Sequence, residues 1–430
     1  MRLRVLLTTA AVGAALAVPA AVAAPAASAA PATLKAPDEC TASDAEIYAA
    51  PGAVTGGPGE LLACRPTKLP GVPYLLPVKA WKVRYTSTDV KGATNVVSGF
   101  VAVPETPWTK GGSRPVVAFN PGTSGSGLKC ALSKQMSGGF VDHYEGPNLA
   151  EFLKAGFAVA ATDGVGYLDG QVHTYMIGAN AGHALLDIVR ASRKIPGGGL
   201  QSDGKVGIAG YSEGGAASLW GAQLASSYAP ELDVVGAAAG GVPGDLKVTA
   251  KRLNGGPFAG FLADALVGLQ AAYPEMPFEE LMNEEGAKAI QKVKENCLLG
   301  TLAAFVGAKV ENYTKDRLTL DQLYAVRGPD GRTWGEIVDD QKLGVDIGGP
   351  SSGAKYEIGF PVFQYRGLLE EIIPTETTDA TRAAYCKAGI TTQWNNLYPG
   401  EHLTTDWLAA GDVVKFLGDR FAGKAAKGNC

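Results

Sequence analysis

One serine of the chain lies in a pattern that suits covalent catalysis. Residues 205–215 read KVGIAGYSEGG, so a short apolar run leads into Gly-x-Ser-x-Gly around Ser212, and residues 216–220 continue as a helix would. A serine at a sharp turn from strand to helix has a strained backbone, and glycines on either side avoid collisions there. The N-terminus of the following helix offers free N–H groups to a developing oxyanion. This context predicts that Ser212 is a nucleophile.

A second copy of the same pattern occurs near the end of the chain. Residues 349–353 read GPSSG, with Ser351 at the central position. A proline precedes this serine, no helical pattern follows it, and the surroundings are rich in Gly, Ser and Pro, which is typical of a loop. We therefore expect Ser351 to be a loop residue without a catalytic role.

A serine hydroxyl is a poor nucleophile unless a base accepts its proton. The four histidines of the chain are His143, His173, His183 and His402. Where a nucleophilic serine follows a strand of a parallel sheet, the usual chain order is serine, acid, histidine. Only His402 follows Ser212, and it lies in a turn-like stretch before the last predicted helix. We predict His402 as the base and expect the other three to be structural or to lie near the substrate.

A carboxylate must orient that base, and we expect it after the strand that precedes the last pair of helices. The strand is predicted over residues 362–365, and the loop after it, residues 366–374, reads RGLLEEIIP. Glu370 is the predicted acid. The alternatives, all of them later carboxylates in this stretch, are Glu371, Glu376 and Asp379.

An oxyanion hole needs two N–H donors close to the point where charge develops. One should be the backbone N–H of Glu213, the residue after the nucleophile, and the other should come from the glycine-rich loop 121–127, PGTSGSG, that follows a predicted strand. Gly122 and Thr123 are the candidates, and we prefer Thr123 because its hydroxyl can donate as well. No Gly-Lys-Ser/Thr follows the loop, so it does not match a phosphate-binding loop.

The order of the predicted elements indicates an α/β fold. Strand and helix patterns alternate up to about residue 244, which favours a mostly parallel sheet with helices on both faces. From there to about residue 345 the pattern is helical, as expected of an inserted cap. The predicted segments are a signal peptide at 1–29, an N-terminal extension at 30–75, a core at 76–244 and 346–430, and a helical cap at 245–345.

The start of the chain has the character of an export signal. Two arginines precede an apolar run over residues 5–22, and Ala27-Ser28-Ala29 resembles a cleavage site, with residues 21–23 as the competing one. We expect cleavage after Ala29 and a secreted, extracellular protein. The net charge of −4 becomes −6 when the two arginines leave, because −4 − 2 = −6. This mildly acidic charge argues against a nucleic-acid partner.

The cysteine content fits an oxidising compartment. The six cysteines all follow the predicted cleavage site, and six cysteines allow about 15 disulfide connectivities. No two of them form a C-x-x-C pair, so the sequence gives little support for zinc or redox chemistry. We expect no metal and no cofactor.

Several short motifs together resemble one family, the secretory lipases. They are residues 121–123 PGT followed by Cys130, 163–166 DGVG, 173–175 HTY, 210–215 GYSEGG and 400–403 GEHL. The resemblance extends from about residue 116 to residue 430. It implies an α/β-hydrolase core, a helical cap and hydrolysis of carboxylic esters. It also implies disulfides Cys130–Cys297 and Cys386–Cys430, which would leave Cys40 to pair with Cys64.

Two positions depart from the family pattern, and both bear on rate and substrate. Family members usually have His-Gly-x-x-Asp where residues 366–370 read RGLLE, so Glu370 must fill the acid position with one more methylene. At Glu213, Gln or Gly is commoner in the family, and a carboxylate beside the nucleophile would disfavour anionic substrates.

We expect a monomeric lipase or esterase. Its expected substrate is triacylglycerol or another ester with an apolar acyl group, either a lipid or a smaller molecule. We expect it to contact a lipid interface transiently through the cap. The alternatives are a serine peptidase or acyltransferase on the same fold, or a non-catalytic binding module.

Overall fold

The computed structural model describes residues 36–73, 77–138, 142 and 144–430. The predicted signal peptide and cleavage site and also His143 lie outside these residues. Within the described part of the chain, no helix is both long and apolar enough to cross a membrane.

The described residues form two β-sheets. The strands, numbered in chain order, are β1 (Leu61–Thr67), β2 (Val78–Thr88), β3 (Thr94–Pro104), β4 (Val116–Asn120), β5 (Ala158–Thr162), β6 (Val206–Tyr211), β7 (Val234–Gly240), β8 (Ile347–Gly348), β9 (Tyr356–Glu357), β10 (Val362–Gly367) and β11 (Thr392–Tyr398). The large sheet has the order β1-β2-β3-β5-β4-β6-β7-β10-β11. Strands β1, β2, β3 and β5 pair antiparallel, whereas β5, β4, β6, β7, β10 and β11 pair parallel.

Helices lie between and beside these strands. They are α1 (Asp44–Tyr48), α2 (Leu132–Met136), α3 (Gly146–Lys154), α4 (Gly178–Ser192), α5 (Glu213–Tyr228), α6 (Leu246–Leu253), α7 (Ala259–Ala272), α8 (Glu284–Glu295), α9 (Leu298–Ala304), α10 (Leu320–Ala325), α11 (Trp334–Asp339), α12 (Thr375–Lys387) and α13 (His402–Phe421). Helices α6 to α11 follow one another without a strand of either sheet, and we propose that they form the cap predicted at 245–345.

Small and β-branched residues make the middle of the sheet suitable for burial on both faces. Every residue of β4, β5 and β6 is buried, as expected of parallel strands covered by helices on both sides. One face packs against α4 and α5 through residues such as Leu185 and Leu219. The other packs against α3 and α13 through residues such as Phe152 and Phe416. The predicted mostly parallel α/β class is confirmed.

Two elements differ from the sequence-based expectation. The extension contains β1, an edge strand that the sequence analysis did not predict, and Pro66 is tolerated there because an edge strand need not donate every N–H. Helix α13 begins at His402, which the sequence analysis placed in a turn before the last helix. The Glu401 side chain accepts the N–H groups of Leu403 and Thr404 and so caps the helix at this point.

Three disulfides connect the described segments. The pairs are Cys40–Cys64, Cys130–Cys297 and Cys386–Cys430, the pairings that the resemblance implies. Cys130 follows the glycine-rich loop, and Cys297 lies between α8 and α9. Beside this bond, the Gly127 N–H donates to the Asn296 carbonyl at 3.0 Å, and the Leu298 N–H donates to the Ser124 carbonyl at 2.9 Å. The glycine-rich loop is therefore fixed to the helical segment by covalent and main-chain bonds.

Removal of the Cys130–Cys297 bond by a double Cys→Ser substitution should impair ester hydrolysis, the activity that the resemblance implies. The bond spans 167 residues, so its loss should also lower the free energy of unfolding by about 5 kcal/mol. The matched control is the double Cys→Ser variant of Cys386 and Cys430, which span 44 residues and should contribute about 4 kcal/mol.

Urea unfolding and initial rates with a p-nitrophenyl ester check both variants. We expect comparable losses of stability, and a loss of activity in the Cys130/Cys297 variant alone. Equal activity in the two variants would show that the glycine-rich loop does not depend on its disulfide.

Candidate active site

Ser212 lies at the turn between β6 and α5 with an unusual backbone conformation. Its φ is 57° and its ψ is −117°, a strained region for a residue with a side chain. The Ser212 N–H donates to the Gly240 carbonyl of β7 at 2.9 Å, and the Ser212 carbonyl accepts the Ala216 N–H at 3.0 Å. A Cβ on Gly210 would lie 2.3 Å from the Gly214 oxygen, and one on Gly214 would lie 2.2 Å from the Asn120 oxygen. The geometry thus requires glycine on both sides of Ser212.

His402 and Glu370 form a buried hydrogen-bonded pair. The Nδ1 atom of His402 lies 2.8 Å from both Glu370 carboxylate oxygens, and the two side chains are 2% and 0% exposed. The Glu370 carboxylate also accepts the N–H groups of Ile372 at 3.1 Å and Ile373 at 2.9 Å. Burial raises the pKa of Glu370, but His402 and these N–H groups outweigh it and hold that pKa below its ordinary value.

The other carboxylates considered for the acid have different partners. Glu371 accepts the backbone N–H of His402 at 3.0 Å, so it holds the start of α13 and not the imidazole ring. Asp379 pairs with Arg366 at 3.0 Å, and Glu376 lies in the first turn of α12. Of these carboxylates, Glu370 is the one in contact with the imidazole ring.

Ser212 and His402 lie at the same edge of the sheet. The rings of His402 and Tyr211, the residue before the nucleophile, are 5.0 Å apart between centroids. A Cβ on Gly241 would lie 3.0 Å from Cε1 of His402, and the preceding residue, Gly240, accepts the Ser212 N–H. The imidazole therefore packs against the segment that holds the nucleophile.

The two candidate residues of the glycine-rich loop have different surroundings. The Gly122 N–H donates to the buried carboxyl group of Glu145, and burial raises the pKa of that carboxyl well above its ordinary value. The Thr123 hydroxyl lies 2.8 Å from the Tyr175 hydroxyl. Since the Gly122 N–H already has a partner, Thr123 remains the better candidate for the second oxyanion donor.

Glu213 does not present a free carboxylate to the substrate. Its Oε1 lies 2.9 Å from Nε2 of His173, and both side chains are less than 10% exposed, at 9% and 6% respectively. The Nδ1 atom of His173 contacts the Val165 carbonyl at 2.9 Å. This pairing weakens the physical reason for expecting that Glu213 disfavours anionic substrates.

Two other positions from the sequence analysis, His183 and Ser351, have partners outside the candidate site. His183 contacts the Thr88 carbonyl and stacks on Tyr228. Ser351 is exposed in the turn between β8 and β9, and its N–H donates to Glu357 at 3.0 Å. The described residues contain no group of three or more His, Cys, Asp and Glu side chains that could hold a metal ion.

An apolar cavity reaches Ser212 from the side of α6 and α7. Apart from Ser212, its lining residues are mostly large and apolar, and they include Met176, Leu246, Leu253, Phe261, Leu262, Ile372 and Ile373. A lining of this composition favours contact with hydrocarbon groups and disfavours charged groups.

Comparison with known proteins decides the family. The model of the family described as secretory lipase matches residues 133–429. The chain belongs to the secretory lipase family. As a member of it, the protein is a carboxylic-ester hydrolase, and the family together with the three disulfides indicates secretion.

Curated relatives of this lipase carry names that agree with the family. Lipase 1 of Candida albicans is 29% identical over 407 residues, which cover 90% of this chain and 82% of that protein. A Mycobacterium tuberculosis protein named as a probable inactive lipase is 27% identical over 395 residues, which cover 89% of this chain and 83% of that protein.

Solved structures share the fold of this lipase. The X-ray structure of Candida antarctica lipase A in its closed state superposes with a TM-score of 0.76 at 24% identity, covering 90% of this chain and 88% of that one. The rice cell wall degrading esterase LipA of Xanthomonas oryzae has a TM-score of 0.66 at 17% identity, covering 86% and 100%. These similarities show the fold alone, and they agree with the predicted α/β-hydrolase class.

Sequence reasoning did not identify two groups of the site. Glu145 was missed because it belongs to none of the recognised motifs and reaches Gly122 only through the fold. Tyr175 lies in the motif HTY, which carried the resemblance, but its contact with Thr123 needed the structure. The motif was thus a usable signal for Tyr175, whereas nothing in the sequence marked Glu145.

The charge of Glu370 should control the pKa of the His402 ring. Burial lowers that pKa, but the charge and hydrogen bond of Glu370 outweigh burial, so the His402 pKa lies above its ordinary value. In Glu370→Gln the charge is gone and burial remains, so we expect the pKa to fall by about 1 to 3 units. Glu371→Gln is the matched control and should lower it less, because Glu371 contacts the backbone and not the ring.

Nuclear magnetic resonance titration of the His402 ring carbons measures both shifts. Equal shifts in the two variants would contradict the pairing of Glu370 with the ring.

Proposed function

We propose that this protein is a secreted lipase or esterase that acts through a Ser212–His402–Glu370 triad and an acyl-enzyme. The Oγ atom of Ser212 attacks the acyl carbon of the ester while its proton passes to Nε2 of His402. The intermediate then collapses, the alcohol leaves with that proton, and the acyl group stays on Ser212. A water molecule, deprotonated by His402, attacks the acyl carbon and releases the carboxylic acid as Ser212 regains its proton.

The observation that carries this proposal is the contact of His402 Nδ1 with both oxygens of Glu370 at 2.8 Å. An ionised carboxylate only accepts hydrogen bonds, so Nδ1 must carry a proton. In the neutral ring Nε2 then has the free lone pair, which is the tautomer that a general base needs. The placement of His402 beside the segment that bonds the Ser212 N–H supports the same assignment.

The oxyanion hole of the proposal consists of the N–H groups of Glu213 and Thr123. Glu213 is the first residue of α5, where N–H groups have no partner within the helix and the helix dipole is positive. Thr123 lies in the loop after β4, the strand beside β6 in the sheet. Both donors therefore follow the carboxyl ends of adjacent strands, β6 and β4, as Ser212 does.

The substrate that we propose is an ester with an apolar acyl chain. The cavity lined by α6 and α7 residues supports this choice, since it offers hydrocarbon contacts beside Ser212. A relative at 27% identity is named a secreted triacylglycerol lipase in Malassezia globosa, which is consistent with a lipid ester. We further propose export through the signal peptide at 1–29, a monomeric state and transient contact of the cap with a lipid interface.

A non-catalytic hydrolase-fold protein is the second candidate. It is favoured by one observation, the relative named as a probable inactive lipase. A peptidase or acyltransferase would use the same triad with another leaving group or acceptor. Rates with an ester and an amide of one acyl group separate a peptidase from an ester hydrolase. Product analysis with and without added alcohol separates an acyltransferase from both.

Ser212→Ala should lower ester hydrolysis by about 10⁴-fold or more and leave the fold intact. The matched control is Ser351→Ala, which removes the serine of the second Gly-x-Ser-x-Gly pattern and should change the rate little. Initial rates on p-nitrophenyl esters of increasing chain length measure both variants. Activity that survives in Ser212→Ala would refute the proposed mechanism.

Glu370→Gln should lower kcat by about 10² to 10⁴-fold, because the ring loses its orienting group and its counter-charge. Glu371→Gln should cost at most a few-fold, since an amide oxygen can still accept the His402 N–H. Glu370→Asp restores the residue common in the family but shortens the reach, so we expect partial activity. Steady-state rates of the three variants decide the role, and a dead Glu371→Gln with an active Glu370→Gln would assign it to Glu371.

A further inference from the structure

A second buried histidine–carboxylate pair lies beside the proposed catalytic residues and has no part in the proton transfers described above. We infer that His173 and Glu213 form a positioning pair that holds the two N–H donors of the oxyanion hole at a fixed separation. The inference rests on the proposed function, because it concerns the donors assigned there. It gives a role to a motif, HTY at 173–175, that the triad leaves unexplained.

The hydrogen-bond partners of His173 determine how many protons the pair holds. The Val165 carbonyl can only accept, so Nδ1 of His173, at 2.9 Å from it, must carry a proton. The contact of 2.9 Å between Nε2 and Glu213 Oε1 then contains one further proton, on either atom. In both forms the pair has no net charge. A neutral pair can be buried beside the nucleophile without the large cost of an isolated ion.

The position of Glu213 links this pair to the proposed reaction. Its backbone N–H is one of the two proposed oxyanion donors. The side chain of the same residue is hydrogen-bonded to His173. Rotation of the first turn of α5 would stretch the contact with His173. The pair therefore restrains the direction in which the Glu213 N–H points, which matters because oxyanion donors act only at short distance and good alignment.

The loop that carries the other donor, Thr123, is connected to the same histidine through two tyrosines. The Tyr167 ring stacks on His173 with centroids 4.5 Å apart, and its hydroxyl donates to the Gly125 carbonyl at 2.7 Å. The Tyr175 ring meets His173 edge-on at 6.0 Å. Its hydroxyl lies 2.8 Å from the Thr123 hydroxyl. His173 thus contacts Glu213 at the start of α5 and two tyrosines that are bonded to the glycine-rich loop.

The loop that carries His173 is shaped for this placement. Gly164 and Gly166 have φ of 83° and 110°. A Cβ on Gly166 would lie 2.1 Å from the Val172 oxygen, and one on Gly164 would lie 3.0 Å from Cε1 of His173. The two glycines of the motif DGVG at 163–166 are therefore explained by the need to bring His173 close to its own loop. Two of the motifs behind the family resemblance serve one structural purpose.

The inference is tested with two substitutions at Glu213. In Glu213→Gln the amide can donate to the free Nε2 of a neutral His173, so the hydrogen bond survives, and kcat should stay within about 5-fold of the parent. Glu213→Leu keeps the backbone N–H and removes the bond, and kcat should fall by about 10²-fold. KM should change less than about 3-fold in both, because the ground-state ester makes no strong bond to these donors.

A transition-state analogue separates positioning from general damage. A trifluoromethyl ketone with the acyl chain of the substrate forms a tetrahedral oxyanion on the serine, so its inhibition constant should rise in Glu213→Leu by the same factor as kcat/KM falls. A non-hydrolysable ether analogue, which forms no oxyanion, should bind both enzymes alike. Thermal unfolding reports whether each variant is folded.

His173→Phe and His183→Phe provide a matched pair. Both histidines bond a backbone carbonyl through Nδ1 and stack on a tyrosine. Phenylalanine preserves the stacking and removes the hydrogen bonds. We expect His173→Phe to weaken the trifluoromethyl ketone by about 10²-fold, and His183→Phe to leave its binding unchanged. If Glu213→Leu does not fold, the comparison of His173→Phe with His183→Phe alone tests the positioning role.

The inference fails if the Glu213→Leu and His173→Phe variants that fold retain parental affinity for the trifluoromethyl ketone. It fails equally if the ether analogue weakens in parallel with the ketone. If either result is obtained and Ser212→Ala is inactive, the positioning role is refuted and the proposed triad is not. An active Ser212→Ala would instead refute the proposed function itself.

Discussion

The close approach of three strands around Ser212 is the constraint on which the rest of the structure depends. The Ser212 backbone has a positive φ, a conformation that costs about 1 to 3 kcal/mol for a residue with a side chain. It is held by the hydrogen bond from its N–H to β7 and by main-chain packing against β4. A Cβ on Gly215 would lie 2.2 Å from the Gly240 oxygen. The start of α5 can come this close to β4 and β7 because residues 214 and 215 are glycines.

Burial around this turn requires that every charge be compensated. The Glu370 carboxylate accepts from His402 and from two backbone N–H groups. Glu213 shares a proton with His173, and Glu145 accepts the Gly122 N–H. An uncompensated ion at any of these sites would cost several kcal/mol. The same contacts orient the groups that we assign to catalysis, so electrostatic compensation and positioning have one structural origin.

Much of the fold and of the candidate site could be predicted from the sequence, because the signals are local and ordered. The strands β4 to β7 are continuous apolar runs, and the chain order of serine, acid and histidine left one histidine. Strand β1 was missed because it contains Pro66 and a cysteine and lacks clear alternation. The start of α13 was placed too late because the capping role of Glu401 was not recognised.

Contacts between distant segments could not be predicted from the sequence in the same way. Glu145, the residue before α3, contacts Gly122 of the glycine-rich loop only in the folded chain, and no pattern of residue types predicts that contact. The disulfide pairings came from the resemblance and not from spacing, since spacing alone did not choose among the connectivities. In physical terms, sequence patterns report local conformation and burial, whereas these pairings are set by tertiary packing.

The central claim, that Ser212 is the activated nucleophile of this lipase, is tested most directly by covalent labelling. The purified protein is treated with a fluorophosphonate, and the labelled peptide is identified by mass spectrometry. We expect one label per molecule, on Ser212, with loss of ester hydrolysis in proportion to labelling. A label on Ser351 or another serine, or full activity after Ser212 is labelled, would contradict it.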